Sequence, residues 1–280
     1  MTQRPAVLLS EDLSGVGGVS MTAALPLLTV LDVMPCALPT ALLSTHTGGL
    51  GANTMLDLAP AMPGILTHWQ TLDLAVQAVV IGYLSQPAMA VWRQWLPRVQ
   101  APLRLVDPVM GDHGRLYRGF DAAAVASMRQ LVQHATLITP NVTEAQALLD
   151  QPLTAGPWPV AQAQQLAAAV AARFGVAVVL TGVPLADGAQ AVVGHTAAGA
   201  FTHTLVPVPG DYFGTGDIFT SVLAGALVRG QALEAAVTLA ETFIHKALVV
   251  THRRRLDPRL GVAYAAALPW LLTQIPPQED

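Results

Sequence analysis

The sequence predicts an α/β fold with a central, mostly parallel sheet covered by helices on both faces. Three observations carry this. Short apolar runs end at Val106, Ile138 and Leu180, each near a stretch with helical spacing. Strands and helices alternate through these runs, as a parallel sheet covered on both faces requires. Polar groups follow each run: Asp107-Pro108, then Asn141-Val142-Thr143-Glu144, then Thr181-Gly182. Ligands of open parallel sheets bind beyond such strand ends.

The elements follow in order. Residues 6–10 read as the first strand. Residues 19–31 have helical apolar spacing and are entered through Ser14-Gly15-Val16-Gly17-Gly18. Residues 33–38 and 41–44 read as short strands, and 46–53 as a polar, glycine-rich loop. A buried strand at 78–82 precedes a helix at 87–96. Residues 103–106 form the next strand, and 121–134 a helix with Asp121 as N-cap. Residues 136–139 read as a strand, 143–149 and 160–174 as helices, and 152–159 as a loop. The run 176–181 is the clearest buried strand. Residues 191–193 and 200–205 look like a hairpin, and helices at 217–229, 233–251 and 258–268 close the chain. No repeat, linker or domain boundary is visible, so 1–280 reads as a single domain.

Composition narrows the function classes. The chain has 280 residues, enough for one large domain, and 52% are apolar against 11% charged. Disorder is excluded. Net charge is -4, and Arg253-Arg254-Arg255 is the one basic run. No broad basic face for nucleic acid is expected. Mean hydropathy is +0.48, which raises the question of a membrane. The uncharged stretch 74–92 is broken by Gly82, Ser85, Gln86 and Pro87, and reads as a strand plus a helix start. Met1-Thr2-Gln3-Arg4 is not followed by a secretory core. Cys36 stands alone, so no internal disulfide forms. A soluble, cytoplasmic protein without membrane contact is the expectation.

Gly214-Thr215-Gly216-Asp217 is the most informative segment. Glycines turn tightly and let a ligand approach the backbone. The helix that follows offers free N–H groups and its positive dipole end, which suits a phosphate. A carboxylate there makes sense as a base that takes a proton from a hydroxyl. Asp107, Asp112, Asn141 and Glu144 add hard oxygen donors of the kind Mg²⁺ prefers. Taken singly, each has a plainer reading. Asp107 before Pro108 starts a turn, and Asn141 or Thr143 caps a helix with Glu144 in its first turn. Together they suggest phosphoryl transfer.

With these segments the chain resembles the ribokinase-like superfamily, and within it the pyridoxal/pyridoxamine kinase family. The matching pieces are Asp12-Leu13-Ser14-Gly15-Val16-Gly17, Leu43-Ser44-Thr45-His46-Thr47-Gly48-Gly49, Gly82-Tyr83-Leu84, Asp107–Asp112, Thr139–Glu144 and Gly214–Asp217. The resemblance implies a three-layer α-β-α ribokinase-like fold and ATP-dependent phosphorylation of the 5′-hydroxymethyl group of a B6 vitamer. It implies Asp217 as base and the backbone of Gly214, Thr215 and Gly216 as anion hole. Asp112 and Glu144 would act near Mg²⁺ and the nucleotide, Glu144 through water. Asp107 and Thr139 would help hold a cation, with K⁺ as a monovalent candidate. Asn141 and Thr181 would face the nucleotide phosphates, and Tyr117 is a further nucleotide contact. Asp12, Thr47 and Tyr83 would meet the pyridine ring, and His46 would shape the substrate site at most. Family members are usually homodimers.

Many kinases of this kind carry serine near Asp12, with Ser10 and Ser14 close by here. An acid at that place would suit an amine-bearing vitamer. Hydroxymethylpyrimidine kinases share the fold and commonly place cysteine where this chain has Asp217. That residue favours the B6 reading. A sugar kinase would need an N-terminal signature that is not present here. A non-catalytic binder would have no need of the base.

Overall fold

The computed structural model describes residues 4–275. In chain order it contains β1 (Ala6–Ser10), β2 (Leu13–Ser14), α1 (Ser20–Val30), β3 (Met34–Ala37), β4 (Ala41–Leu43) and β5 (Met55–Asp57). Next come α2 (Met62–Trp69), β6 (Val76–Ile81), α3 (Gln86–Trp95), β7 (Leu103–Val106), β8 (Gly111–Asp112) and β9 (Arg115–Leu116). Then follow α4 (Ala122–Val132), β10 (Leu137–Ile138), α5 (Val142–Leu148), α6 (Val160–Phe174), β11 (Ala177–Pro184), β12 (Gln190–Thr196) and β13 (Gly199–Leu205). The chain closes with α7 (Thr215–Val228), α8 (Leu233–Arg253) and α9 (Leu268–Thr273). The fold is mixed α/β with a large, mostly parallel central sheet of eight strands.

By compactness the chain divides into two units, Met1–Val80 with Val208–Asp280, and Ile81–Pro207. In the first unit β1 runs parallel to β3, with Ala6 opposite Met34 and Leu9 opposite Ala37. Every residue of β1 is buried, as a strand covered on both faces must be. A small sheet pairs β2 parallel to β4 and β4 antiparallel to β5. Helices α1 and α7 pack together, as do α7 and α8. Met21, Leu27 and Leu28 of α1 and Ile218, Val222 and Leu223 of α7 are buried in their core.

In the second unit β10 lies between β7 and β11, parallel to both. β12 and β13 then add an antiparallel hairpin. Helix α6 packs on β11 and β12. Ser85 caps α3 by accepting from the Ala88 N–H, and Asp121 caps α4 by accepting from the Ala124 N–H. Trp92 of α3 is fully buried.

Two expectations change. The helix expected at 258–268 is broken into 3₁₀ turns at Pro258–Leu260 and Tyr264–Ala267, followed by α9. The break falls at Gly261, which has φ 92° and pairs with Gly18 in a parallel bridge. A Cβ on Gly261 would stand 2.7 Å from the Gly18 carbonyl oxygen. The second change is additional structure. β2, β5, α2 and the β8–β9 hairpin do not stand out in the sequence pattern.

Candidate active site

In the first unit, Gly214 is the N-cap of α7 and takes a left-handed conformation with φ 82°. A Cβ there would lie 2.9 Å from the Gly18 carbonyl oxygen and 3.0 Å from Cγ1 of Val19. Glycine is therefore required by both conformation and space. The first intrahelical bond runs from Ile218 N–H to the Gly214 carbonyl. The N–H groups of Thr215, Gly216 and Asp217 precede it, at the positive end of a 14-residue helix.

Asp217 lies in the first turn of α7. Its Oδ2 accepts from the Ser20 N–H at 2.7 Å, so the carboxylate also meets the start of α1. Its Oδ1 has no hydrogen-bond donor among the described residues. Desolvation pushes the carboxyl pKa up to about 6, the Ser20 N–H opposes the rise, and the charge of Asp12 adds to it. The side chain is half-buried rather than sealed, so the free oxygen stays within reach of a ligand. A carboxylate near pKa 6 is well matched to general-base work at neutral pH.

Asp12 is buried, and the Ser14 hydroxyl donates to its Oδ2 at 2.7 Å. Burial raises its pKa, while the nearby Ser20 and Ser14 side chains and the charge of His46 oppose the rise. His46 is held at both nitrogens. Gly48 N–H donates to Nδ1, and Nε2 lies against the Arg259 carbonyl. The ring also packs on Phe213 with centroids 5.0 Å apart. It shapes the loop and holds no proton-transfer position. Thr47 next to it is exposed.

The second unit builds a separate cluster. Asn141 and Glu144 form a capping box at the start of α5. Asn141 Oδ1 accepts from the Glu144 N–H, and Glu144 Oε2 accepts from the Asn141 N–H, each at 2.9 Å. Both side chains also reach the loop after β7. Asn141 Nδ2 donates to the Gly111 carbonyl at 2.8 Å, and Met110 N–H donates to Glu144 Oε1 at 3.0 Å. Glu144 is pushed well above the usual carboxylate range by burial first, then by the charge of Asp107, with Asp112 adding to it. Replacing Glu144 with alanine leaves the Met110 and Asn141 N–H groups without their acceptors. The expected loss is about 2–4 kcal/mol of stability, read from urea unfolding.

The other candidates belong to the same unit. Asp112 accepts from the His113 N–H at 2.7 Å and keeps a side chain that is 46% exposed. Asp107 and Thr139 are buried, and Thr139 Oγ1 has no hydrogen-bond partner. The Thr181 N–H donates to the Pro140 carbonyl at 2.9 Å, beside the bridge between Asn141 and Thr181. Tyr117 is 43% exposed, and Tyr83 packs edge-on against Phe120 at 5.9 Å.

This donor set fits a hard cation. The charges of Asp107 and Asp112 each act on Glu144, and Thr139 adds an orphaned hydroxyl oxygen. Both Glu144 oxygens already accept backbone hydrogen bonds, so its contribution would pass through water. Among the described residues no three His, Cys, Asp or Glu side chains are grouped to hold a metal by themselves. Water and phosphate oxygens would have to complete the shell, as is usual for Mg²⁺.

Ser20 is the site residue that sequence reasoning misses. A serine before an apolar helical run reads as an N-cap. Here Val19 is the cap, and Ser20 is the first helical residue with φ 46°.

A family model described as phosphomethylpyrimidine kinase matches residues 12–259. The chain belongs to this family. The kinase is accordingly a phosphotransferase acting on a hydroxyl group. It is 29% identical over 276 residues to the pyridoxine/pyridoxal/pyridoxamine kinase of Bordetella avium, covering 91% of this chain and 90% of that one. Among solved structures it is 36% identical to pyridoxal kinase from Lactobacillus plantarum, with TM-score 0.89, covering 97% of this chain and 98% of that one. It is 33% identical to a protein of Bacteroides thetaiotaomicron provisionally named phosphomethylpyrimidine kinase, in a crystal form with pyridoxal. That match has TM-score 0.91 and covers 99% of this chain and 98% of that one. The kinase thus shares its ribokinase-like architecture with pyridoxal kinases over nearly its whole length.

Proposed function

We propose that this kinase phosphorylates the 5′-hydroxymethyl group of a B6 vitamer, with ATP as donor, as a single kinase domain. The observation that carries the reading is Asp217, a half-buried carboxylate with one oxygen tied to Ser20 and the other without a donor. The likeness to pyridoxal kinases supports the choice of ring.

In this reading Asp217 Oδ1 takes the hydroxyl proton. The freed oxygen forms a bond to the γ-phosphorus, and the bond from that phosphorus to the β-phosphate oxygen breaks. ADP leaves with the electron pair. The N–H groups of Gly214, Thr215 and Gly216 hold the transferring phosphoryl oxygens, where fixed dipoles stabilise developing charge. Thr47 and Tyr83 contact the ring. Asn141, Thr181 and Tyr117 serve the nucleotide. Asp112 with Asp107, Thr139 and Glu144 would hold Mg²⁺, which offsets phosphate charge when bound. The same group would serve K⁺ if the reaction uses one. A homodimer and a cytoplasmic setting complete the reading, both on the strength of the family resemblance.

Asp12 gives this reading a substrate preference. A buried carboxylate beside the base would favour the amine of pyridoxamine over the aldehyde of pyridoxal. Asp12→Ala is expected to lower kcat/KM for pyridoxamine roughly tenfold more than for pyridoxal, the size of one charge-assisted hydrogen bond. An unchanged ratio between the two vitamers removes this role from Asp12.

The family description favours one alternative, phosphorylation of hydroxymethylpyrimidine or its phosphate. A phosphorylation assay with ATP on pyridoxal, pyridoxamine, pyridoxine and hydroxymethylpyrimidine separates the readings. Turnover of a B6 vitamer is expected. Turnover of the pyrimidine alone would overturn the proposal, and turnover of neither would leave a nucleotide- or vitamin-binding protein.

A further inference from the structure

We infer that Ser20 is a positioning residue for the base, and that its left-handed backbone is what aims its N–H at Asp217. The inference rests on Asp217 acting as the base. Ser20 sits 197 positions from Asp217 in sequence and donates to its Oδ2 at 2.7 Å. Its φ of 46° is a conformation that side chains rarely adopt and that costs about 1–2 kcal/mol. Such strain persists only where the surroundings enforce it. Here they do so from both directions. On one side Gly214 brings the start of α7 within contact of Gly18 and Val19, the two residues before Ser20. On the other, Met21 N–H, the next along the chain, donates to the Asp12 carbonyl at 3.2 Å.

One backbone N–H therefore decides which oxygen of the base is left free. It occupies Oδ2 of Asp217, which leaves Oδ1 as the oxygen for a substrate hydroxyl. Asp12, the charged group that faces Asp217, is held by the Ser14 hydroxyl and lies near His46. A residue at φ 46° with an ordinary side chain is easily displaced by substitution, and glycine is the one residue that accepts this φ without strain.

The test replaces Ser20 with glycine, alanine and valine, and follows the Asp217 carboxyl by ¹³C titration in the unliganded protein. Glycine keeps the φ and the N–H, so the titration midpoint and the acid limb of kcat are expected to stay in place. Valine, branched at Cβ, is expected to relax out of the left-handed region and withdraw the N–H. The Asp217 midpoint and the acid limb of kcat then rise by roughly one pH unit, a tenfold loss of kcat below the midpoint, while KM for the vitamer changes less than about threefold. Alanine should fall between the two, and it stands in for valine if the valine variant does not fold. A midpoint unchanged in alanine and valine would overturn the inference. So would a glycine variant displaced as far as valine, since the hydroxyl would then be the cause. The titration needs no substrate. An enzyme that turns over no B6 vitamer would therefore sink the functional reading and still leave Ser20 decided.

Discussion

Asp217→Asn should bind the vitamer with near-normal affinity and lose turnover by roughly 10³-fold, within the range expected for removing a general base. Asparagine keeps an oxygen for the Ser20 N–H, so the local geometry survives. What disappears is the group that accepts the hydroxyl proton. In the wild type, kcat should fall about tenfold per pH unit below about 6, because the base must be ionised to work. Wild-type turnover in the asparagine variant would remove Asp217 as base. The same substitution should act on stability in the opposite direction. The folded pKa is raised from 3.8 to about 6, so the fold carries the ionised form at a penalty above that range. Folding stability should therefore decline as pH rises from about 4 through 6. Asp217→Asn should be more stable than wild type at pH 8, by on the order of 1–2 kcal/mol once the partial exposure of the side chain is discounted. The gain should shrink as pH falls through 6 and vanish near 4. Parallel urea curves at pH 4.5 and 8 measure it.

Gly214→Ala should lower turnover by less than loss of the base does, and should also weaken the fold. The added Cβ must find room 2.9 Å from a backbone oxygen and 3.0 Å from Val19, on a residue with φ 82°. Neither neighbour is the far end of a flexible side chain. Strain and displacement together should lower stability by about 2–3 kcal/mol. The first turn of α7 would shift with them, moving the N–H groups proposed to hold the phosphoryl oxygens. A loss of roughly 10²-fold in kcat is expected, the scale of one misplaced oxyanion donor. Thermal unfolding and steady-state kinetics on the same sample check both parts. Stability and kcat both within error of wild type would mean that the turn tolerates a side chain.

The sequence makes some parts of this molecule plain for definite reasons. β1 opens on Ala6–Leu9 and β11 on Ala177–Leu180, apolar runs that are mostly buried, and such runs stand out. Helix α6 begins after Pro159 and ends before a left-handed Gly175, so both ends are marked. β2, β8 and β9 have two residues each, too few to show any period, and exist only through their partners. The break at Gly261 is set by its pairing with Gly18, which no local pattern contains. The site divides in the same way. The Gly-x-Gly-Asp turn announces Asp217 as an acid at a helix start. The oxygen chemistry of Asp107, Asp112 and Glu144 is also visible. That both Glu144 oxygens are taken up by N–H groups is not, because Met110 lies 34 positions away. Ser20 is hidden for two reasons, an unusual φ that propensity does not encode and a partner at the far end of the chain.

The bridge between Gly18 and Gly261 sets a timetable for folding. Gly18 N–H donates to the Leu260 carbonyl at 2.9 Å, so this loop waits for a segment made long after it. Ser20 waits almost as long for Asp217. Long loop closures of this kind come late and slowly. The turn beside the base is therefore made early and locked late. During synthesis it stays open, and a chain released before residue 258 would carry its glycines and its strained serine with nothing to hold them in place.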